Sequence, residues 1–235
     1  MAFAIKHNMV EHKVNPFNQM LIKPGKKDKK TMTQSSIDIC INFLKDKQHD
    51  EFINDFYYPC HFWLTLINVL QYTGIRRNQL LHIRIGDVLE ESKTLFLREE
   101  GSKNFYEREV PLLDDVFDEL VRLKQALLRL NRKPDMQLFN IYHFKNNKSK
   151  KYKEMNFNRI DSFFQRLSVS CGVRITPHRF RHTLATNLMK SPDRNITLVK
   201  ELLGHSSITT TLEYIVTDQD QLRACLTQHF SHHDG

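Results

Sequence analysis

The stretch CHFWLTLINVLQY, residues 60–72, is apolar nearly all the way round. A helix with no polar face has no side to offer to water, so it is predicted as a central, buried helix with other elements packed about it. It ends at Thr73-Gly74, where glycine takes the left-handed cap conformation cheaply. Hydrophobic residues make up 40% of the 235, enough for a real core. Seven glycines and seven prolines argue against a loop-rich or low-complexity chain.

The remaining segments are read against that helix. TQSSIDICINFLKD puts Ile37, Ile41 and Leu44 on one stripe after a Thr33 or serine cap. TLFLRE and EREVPL alternate and flank EGSKNFY, which predicts a β-hairpin with a longer loop. LDDVFDELVRLKQALLRL and FNRIDSFFQRLSVSCG are amphipathic helices, the second closed by Gly172. TPHRFRHTLATNLM opens with Thr176 as cap and Pro177 at the first helical position. NITLVKELLGH follows, and DQDQLRACLTQHF carries Leu222, Cys225 and Leu226 on one side. The fold class expected is mainly α with a small antiparallel β-sheet (α+β), without internal repeats. Residues 1–16 fit one amphipathic helix that runs out at Asn15-Pro16. Residues 17–32 read as a basic linker with Lys26, Lys27, Lys29 and Lys30, and 33–235 as the main domain.

The net charge of +8 suggests a polyanionic partner, nucleic acid first, although a merely basic surface fits as well. Cys40, Cys60, Cys171 and Cys225 lie far apart without a CxxC pair, which fits isolated thiols in a reducing cytosol. The clustered His229, His232 and His233 read as a polar terminus rather than a metal site. No signal peptide and no window long and apolar enough for a membrane span stands in the sequence.

Several residues are of types that handle phosphate. His178 and Arg181 are three apart and share a helix face, and His178 lies in the first turn, where free N–H groups favour an anion. Arg76 follows the buried helix directly; a structural ion pair and a phosphate clamp are both open there. Lys103 sits in the hairpin loop, as a solvated charge or as a proton donor reaching into a cleft. In LGHSSITTTLEY, His205 stands on a helix cap, the Ser/Thr stretch reads as a short turn into a following helix, and that helix carries Tyr214, nine places after His205.

Taken in order, TGIRR, the loop lysine before REVPL, HRFRH, LGHSS and that tyrosine resemble the catalytic domain of the tyrosine recombinases, the phage-integrase family. The resemblance covers about 33–230, and residues 1–16 look like the end of the helical DNA-clamping domain that precedes it in the family. It implies that Arg76 and Arg181 hold the non-bridging oxygens of the scissile phosphate and that Lys103 protonates the leaving 5′ oxygen. It implies His178 as general acid/base, His205 as a hydrogen-bond donor to the phosphate, Tyr214 as nucleophile and His182 as support. The chemistry suits these types. Ionising a tyrosine of ordinary pKa at neutral pH costs about 4 kcal/mol, which a base and the field of two arginines can supply. Positioned cations stabilise a phosphoryl transition state, and a phosphotyrosyl link keeps the bond energy for rejoining. No metal or other cofactor is expected.

One position departs from the family pattern: Gln79 stands where glutamate is usual, keeping a hydrogen bond but no charge. Arg77 is expected near DNA, and so are the linker lysines and Lys148, Lys150 and Lys151 of the KNNKSKKYK run, a solvated loop being the alternative. The resemblance implies double-stranded DNA as partner, self-association as a tetramer on it, and a cytoplasmic, nucleoid-associated place. A site-specific recombinase active in DNA integration or another rearrangement is the function expected. A non-catalytic DNA-binding relative and a type IB topoisomerase-like nicking and resealing activity are the alternatives.

Overall fold

The computed structural model describes residues 31–49, 55–102, 106–144, 153–191 and 195–214. The helices are α1 (Gln34–His49), α2 (Cys60–Thr73), α3 (Arg77–His82), α4 (Asp114–Arg129), α5 (Phe157–Cys171), α6 (Pro177–Lys190), α7 (Ile196–Leu203) and α8 (Ile208–Leu212). The strands β1 (Val88–Leu89), β2 (Thr94–Leu97) and β3 (Arg108–Pro111) form one antiparallel sheet in the order β1-β2-β3. This is the mainly helical fold with a small antiparallel sheet that the sequence patterns predict.

The apolar helix α2 lies at the centre. Phe62, Trp63, Leu66, Ile67, Val69 and Leu70 are fully buried, and α1, α4 and α6 pack against it. Trp63 stacks on Phe163 of α5 with ring centroids 3.8 Å apart and planes within 6°. Burying side chains of this size contributes about 1.5–3 kcal/mol each, which is what holds α2 inside. The α1 stripe is Ile37, Cys40 and Leu44, and α4 buries Val116, Phe117, Leu120, Leu123 and Leu127 in strict helical spacing.

The caps fall where the sequence puts them. Thr176 accepts from the Arg179 amide at 3.3 Å and Pro177 opens α6. Asn195 accepts from the Thr197 and Leu198 amides at the start of α7. Gly74, Gly172 and Gly204 end α2, α5 and α7 with φ of 59°, 64° and 62°. Three details differ from the sequence reading. The strand β1 adds a third member to the hairpin, with Val88 opposite Leu95. The six-residue α3 starts directly after Arg76. The hydroxyl stretch after His205 is itself the helix α8, capped by Ser207, and Tyr214 lies two residues beyond its end.

Cys40 and Cys171 are free thiols. Among the described residues no helix is long and apolar enough to cross a membrane. Residues 1–30, which hold the expected N-terminal remnant and all of the linker but Thr31 and Met32, and the segment 218–230, lie outside the described residues.

Candidate active site

The C-terminus of α7 organises the site. The amides of Gly204 and His205 turn back to the carbonyls of Glu201 and Lys200, both at 3.0 Å, which is the closure a left-handed glycine allows. The carbonyls of Leu202, Leu203 and Gly204 still need donors, Glu201 O has a second lone pair free to accept, and all sit at the negative end of the helix dipole. Three arginines meet that need. Arg108 Nη1 donates to Glu201 O at 2.9 Å and to Leu202 O at 2.8 Å. Arg181 Nη2 donates to Leu203 O at 2.7 Å. Arg76 Nη1 donates to Gly204 O at 3.2 Å. Four consecutive carbonyls thus gather side chains from three separate parts of the chain.

Each arginine is placed by its own element. Arg181 lies on the inner face of α6, is 4% exposed, and ties a second helix end through Nη1 to Gly74 O at 2.7 Å. Arg76 caps α3, and its amide donates to Oε1 of the buried Gln79 at 3.0 Å. Gln79 therefore does by neutral hydrogen bonding what a carboxylate would do at the same place. Arg108 opens β3 opposite Leu97. It was not anticipated from the sequence. The available signal was the strand alternation, which puts Arg108 on the same face as the fully buried Val110.

Among the described residues none of the three guanidiniums is paired with a carboxylate, and their charges are felt by one another. Burial, with Arg76 next, pushes Arg181 down to about 9. Burial and then Arg76 push Arg108 down to about 10, and burial lowers Arg76 as well. All three remain cations at neutral pH. Buried positive charge held by backbone carbonyls, without a counter-charge, suits an anion of phosphate type.

Tyr214 sits beside this cluster. It is 4% exposed and packs with Ala185, Met189, Val199 and Leu203 in a small core of its own. Its amide donates to Thr211 O at 3.0 Å. Burial raises its pKa above the ordinary tyrosine value, while Arg181 and Arg76 pull it down and Glu213 pushes it up. Three histidines complete the surroundings. The His205 ring lies parallel to Tyr214 with centroids 6.0 Å apart, and its Nδ1 is 2.9 Å from Thr211 Oγ1. The His182 ring lies 5.5 Å from Tyr214 and 4.0 Å from His178. The sequence reading gave His182 a supporting part; its ring touches both the tyrosine and the candidate base.

The structure thus brings Arg76, His178, Arg181, His182, His205 and Tyr214 together. Lys103 lies outside the described residues, but the root of its loop is in place. A side chain on Gly101 would meet Gln79 Cα at 2.8 Å, and Asn78 Nδ2 donates to Gly101 O at 3.1 Å. Gly101, two residues before Lys103, therefore lies against Asn78 and Gln79 of α3. A groove of about 900 Å³ opens between β3 and α7, lined by Arg108, Val199, Gly204 and His205 among others. Arg77 pairs with Asp161 and lies over the Phe157 ring at 4.5 Å, both on α5. Lys26, Lys27, Lys29, Lys30, Lys148, Lys150 and Lys151 lie outside the described residues.

The sequence model of the phage integrase family matches residues 42–221. The chain belongs to the phage integrase family. A Pseudomonas aeruginosa protein assigned as the tyrosine recombinase XerC is 39% identical to this phage integrase family member over 228 residues, 95% of this chain and 53% of that protein. The chain spans about half the length of curated relatives it matches. The fold is shared with the Tn1549 transposon integrase in complex with transposon right end DNA, at a TM-score of 0.71 and 20% identity, over 97% of this chain and 74% of that one. It is also shared with the XerH site-specific recombinase bound to its difH substrate after cleavage, at a TM-score of 0.62 and 22% identity, over 88% of this chain and 55% of that one. The first of those structures holds DNA and the second its difH substrate.

Proposed function

We propose that this chain carries the catalytic centre of a tyrosine site-specific recombinase, which breaks and rejoins double-stranded DNA through a 3′-phosphotyrosyl intermediate. The observation that carries the reading is the buried Tyr214 set against His182 and His205 and within the field of Arg76 and Arg181.

The scissile phosphodiester enters the arginine cluster, where Arg76 and Arg181 hold its non-bridging oxygens with donors not committed to carbonyls. Carbonyl tethers fix both guanidiniums beforehand, so little reorganisation is needed as charge develops. The Tyr214 phenol oxygen attacks phosphorus while its proton passes to His178, whose ring reaches the tyrosine by way of His182. The bond from phosphorus to the 5′ oxygen breaks, and Lys103 protonates that oxygen. His205, oriented by Thr211, donates to the phosphate. A 5′ hydroxyl from a second DNA end then attacks the phosphotyrosyl bond, and the proton steps reverse. Exchange between two duplexes needs more than one such centre, so self-association on DNA belongs to the proposal. Lysines 26, 27, 29, 30, 148, 150 and 151, together with Arg77, are its proposed backbone contacts. A cytoplasmic, nucleoid-associated place follows from a DNA substrate.

Nicked duplexes made from DNA flanking the gene test the reading. A denaturant-resistant protein–DNA band is expected, and Tyr214→Phe abolishes it. Binding without any such band, also in the presence of a full-length relative, would leave a DNA-binding protein without the chemistry. Relaxation of supercoiled DNA with no exchange between two sites would point instead to a topoisomerase-like activity.

A further inference from the structure

We propose that Arg108 is a positioning residue for the reaction: it locks the hairpin strand β3 to the last turn of α7 and so sets where Gly204 and His205 stand beside Tyr214. The proposal rests on the recombinase reading of the site and adds to it a residue that the family resemblance did not assign.

Arg108 makes no contact that an ordinary surface arginine would need. One nitrogen, Nη1, serves two consecutive carbonyls of α7, Glu201 O at 2.9 Å and Leu202 O at 2.8 Å. The guanidinium lies flat against the cap glycine: a Cβ at Gly204 would fall 2.8 Å from Nε and 3.2 Å from Cζ and Nη2. Nε and Nη2 are buried and take no hydrogen-bond partner among the described residues. Burying two N–H groups unsatisfied is a cost that packing alone does not call for. The strand that bears Arg108 is itself fixed, with Leu97 opposite Arg108 and Leu95 opposite Val110 in the sheet. Arg108 therefore joins two halves of the site. On one side is the hairpin whose loop carries Lys103. On the other are the carbonyls that hold Arg76 and Arg181, with His205 on the same turn. If α7 slides on β3, all of these shift together, and displacements of about 1 Å at such a site cost about 10²-fold in rate.

The test uses the full chain and two readouts. The first is single-turnover formation of the covalent complex on nicked duplex, with DNA affinity measured beside it and the temperature held well below the melting midpoint. The second needs no catalysis: hydrogen exchange at the Gly204 and His205 amides. Arg108→Ala is expected to slow covalent-complex formation about 10²-fold with DNA affinity nearly unchanged, and to speed exchange at those two amides by about tenfold or more. Arg108→Lys, which can still reach the carbonyls, is expected to restore much of both. Gly204→Ala is expected to harm the wild type more than it harms Arg108→Ala, because the clash disappears with the guanidinium. Unchanged exchange in Arg108→Ala overturns the proposal whatever the cleavage result. Faster exchange with wild-type cleavage overturns it too, since Arg108 would then be structural only. If the wild type forms no covalent complex, the recombinase reading fails, and the exchange result alone decides whether Arg108 holds the turn.

Discussion

Arg181 is the buried link between two helix ends in the site. It ends two helices at once, through Gly74 O and Leu203 O. Arg181→Ala leaves both carbonyls without that donor, and a loss of about 2–6 kcal/mol in unfolding free energy is expected by denaturant titration, at roughly 1–3 kcal/mol per orphaned group. Burial also lowers the Arg181 pKa, so its charge is a cost in the empty site that a bound anion offsets. Orthovanadate or phosphate is therefore expected to raise the melting temperature of the wild type more than that of Arg181→Lys at matched ionic strength. Tyr214 behaves in the opposite sense. Its folded-state pKa is raised, chiefly by burial, so the stability it contributes is complete below the ordinary tyrosine pKa near 10 and fades as pH climbs through the folded value. Tyr214→Phe is expected to flatten the alkaline decline in stability above about pH 10. The ultraviolet difference titration between wild type and Tyr214→Phe should place one phenol above the ordinary value. These residues were legible in the sequence because each stands in a short motif: Arg76 after Gly74, Arg181 three after His178, His205 after Gly204, Tyr214 nine after His205. Arg108 was not, because EREVPL reads as ordinary alternation and its partners lie more than ninety positions away.

At the scale of elements, glycine ends decide the geometry. Gly74 holds φ at 59°, and a Cβ there would stand 3.0 Å from Leu184 Cδ2 and from Leu203 Cδ2. Gly74→Ala thus strains the cap and pushes α2 away from α6 and α7. A loss of about 1–3 kcal/mol is expected, together with slower covalent-complex formation, because Gly74 O holds Arg181. A melting curve and a single-turnover assay check both halves. The long helices were readable because periodicity and caps agree: Thr176-Pro177 opens α6, Asn195 opens α7, and Gly172 closes α5. What escaped was short. The two residues of β1 are too few for an alternation to register, and the six of α3 hold barely one apolar repeat. In α8 the threonines suggested a turn, but Ser207 at the cap and the packing of Thr211 against His205 favour a helix there.

At the scale of the molecule, the described domain is a helical body around α2 with Arg76, Arg108 and Arg181 gathered at one helix end. The wider basic character, +8 over the chain, is read as the means of holding DNA along a longer path. The affinity for a duplex should fall with salt, with a slope of about −0.9 per phosphate neutralised. Replacing Lys148, Lys150 and Lys151 by glutamine is expected to reduce that slope and weaken binding uniformly across sequences, as fluorescence anisotropy at several salt concentrations would report. An unchanged slope would assign that run to solvent. The curated relatives are about twice as long as this chain, so the same titration with a full-length partner added would show how much of the grip comes from elsewhere.

The central claim is that Tyr214 becomes joined to DNA. The most direct measurement is mass spectrometry of the covalent complex from a nicked duplex, digested with nuclease and protease. The account predicts a nucleotide mass on the peptide that contains Tyr214, attached through a 3′ phosphate and absent from Tyr214→Phe. A nucleotide on any other residue, or an adduct that survives Tyr214→Phe, would contradict it.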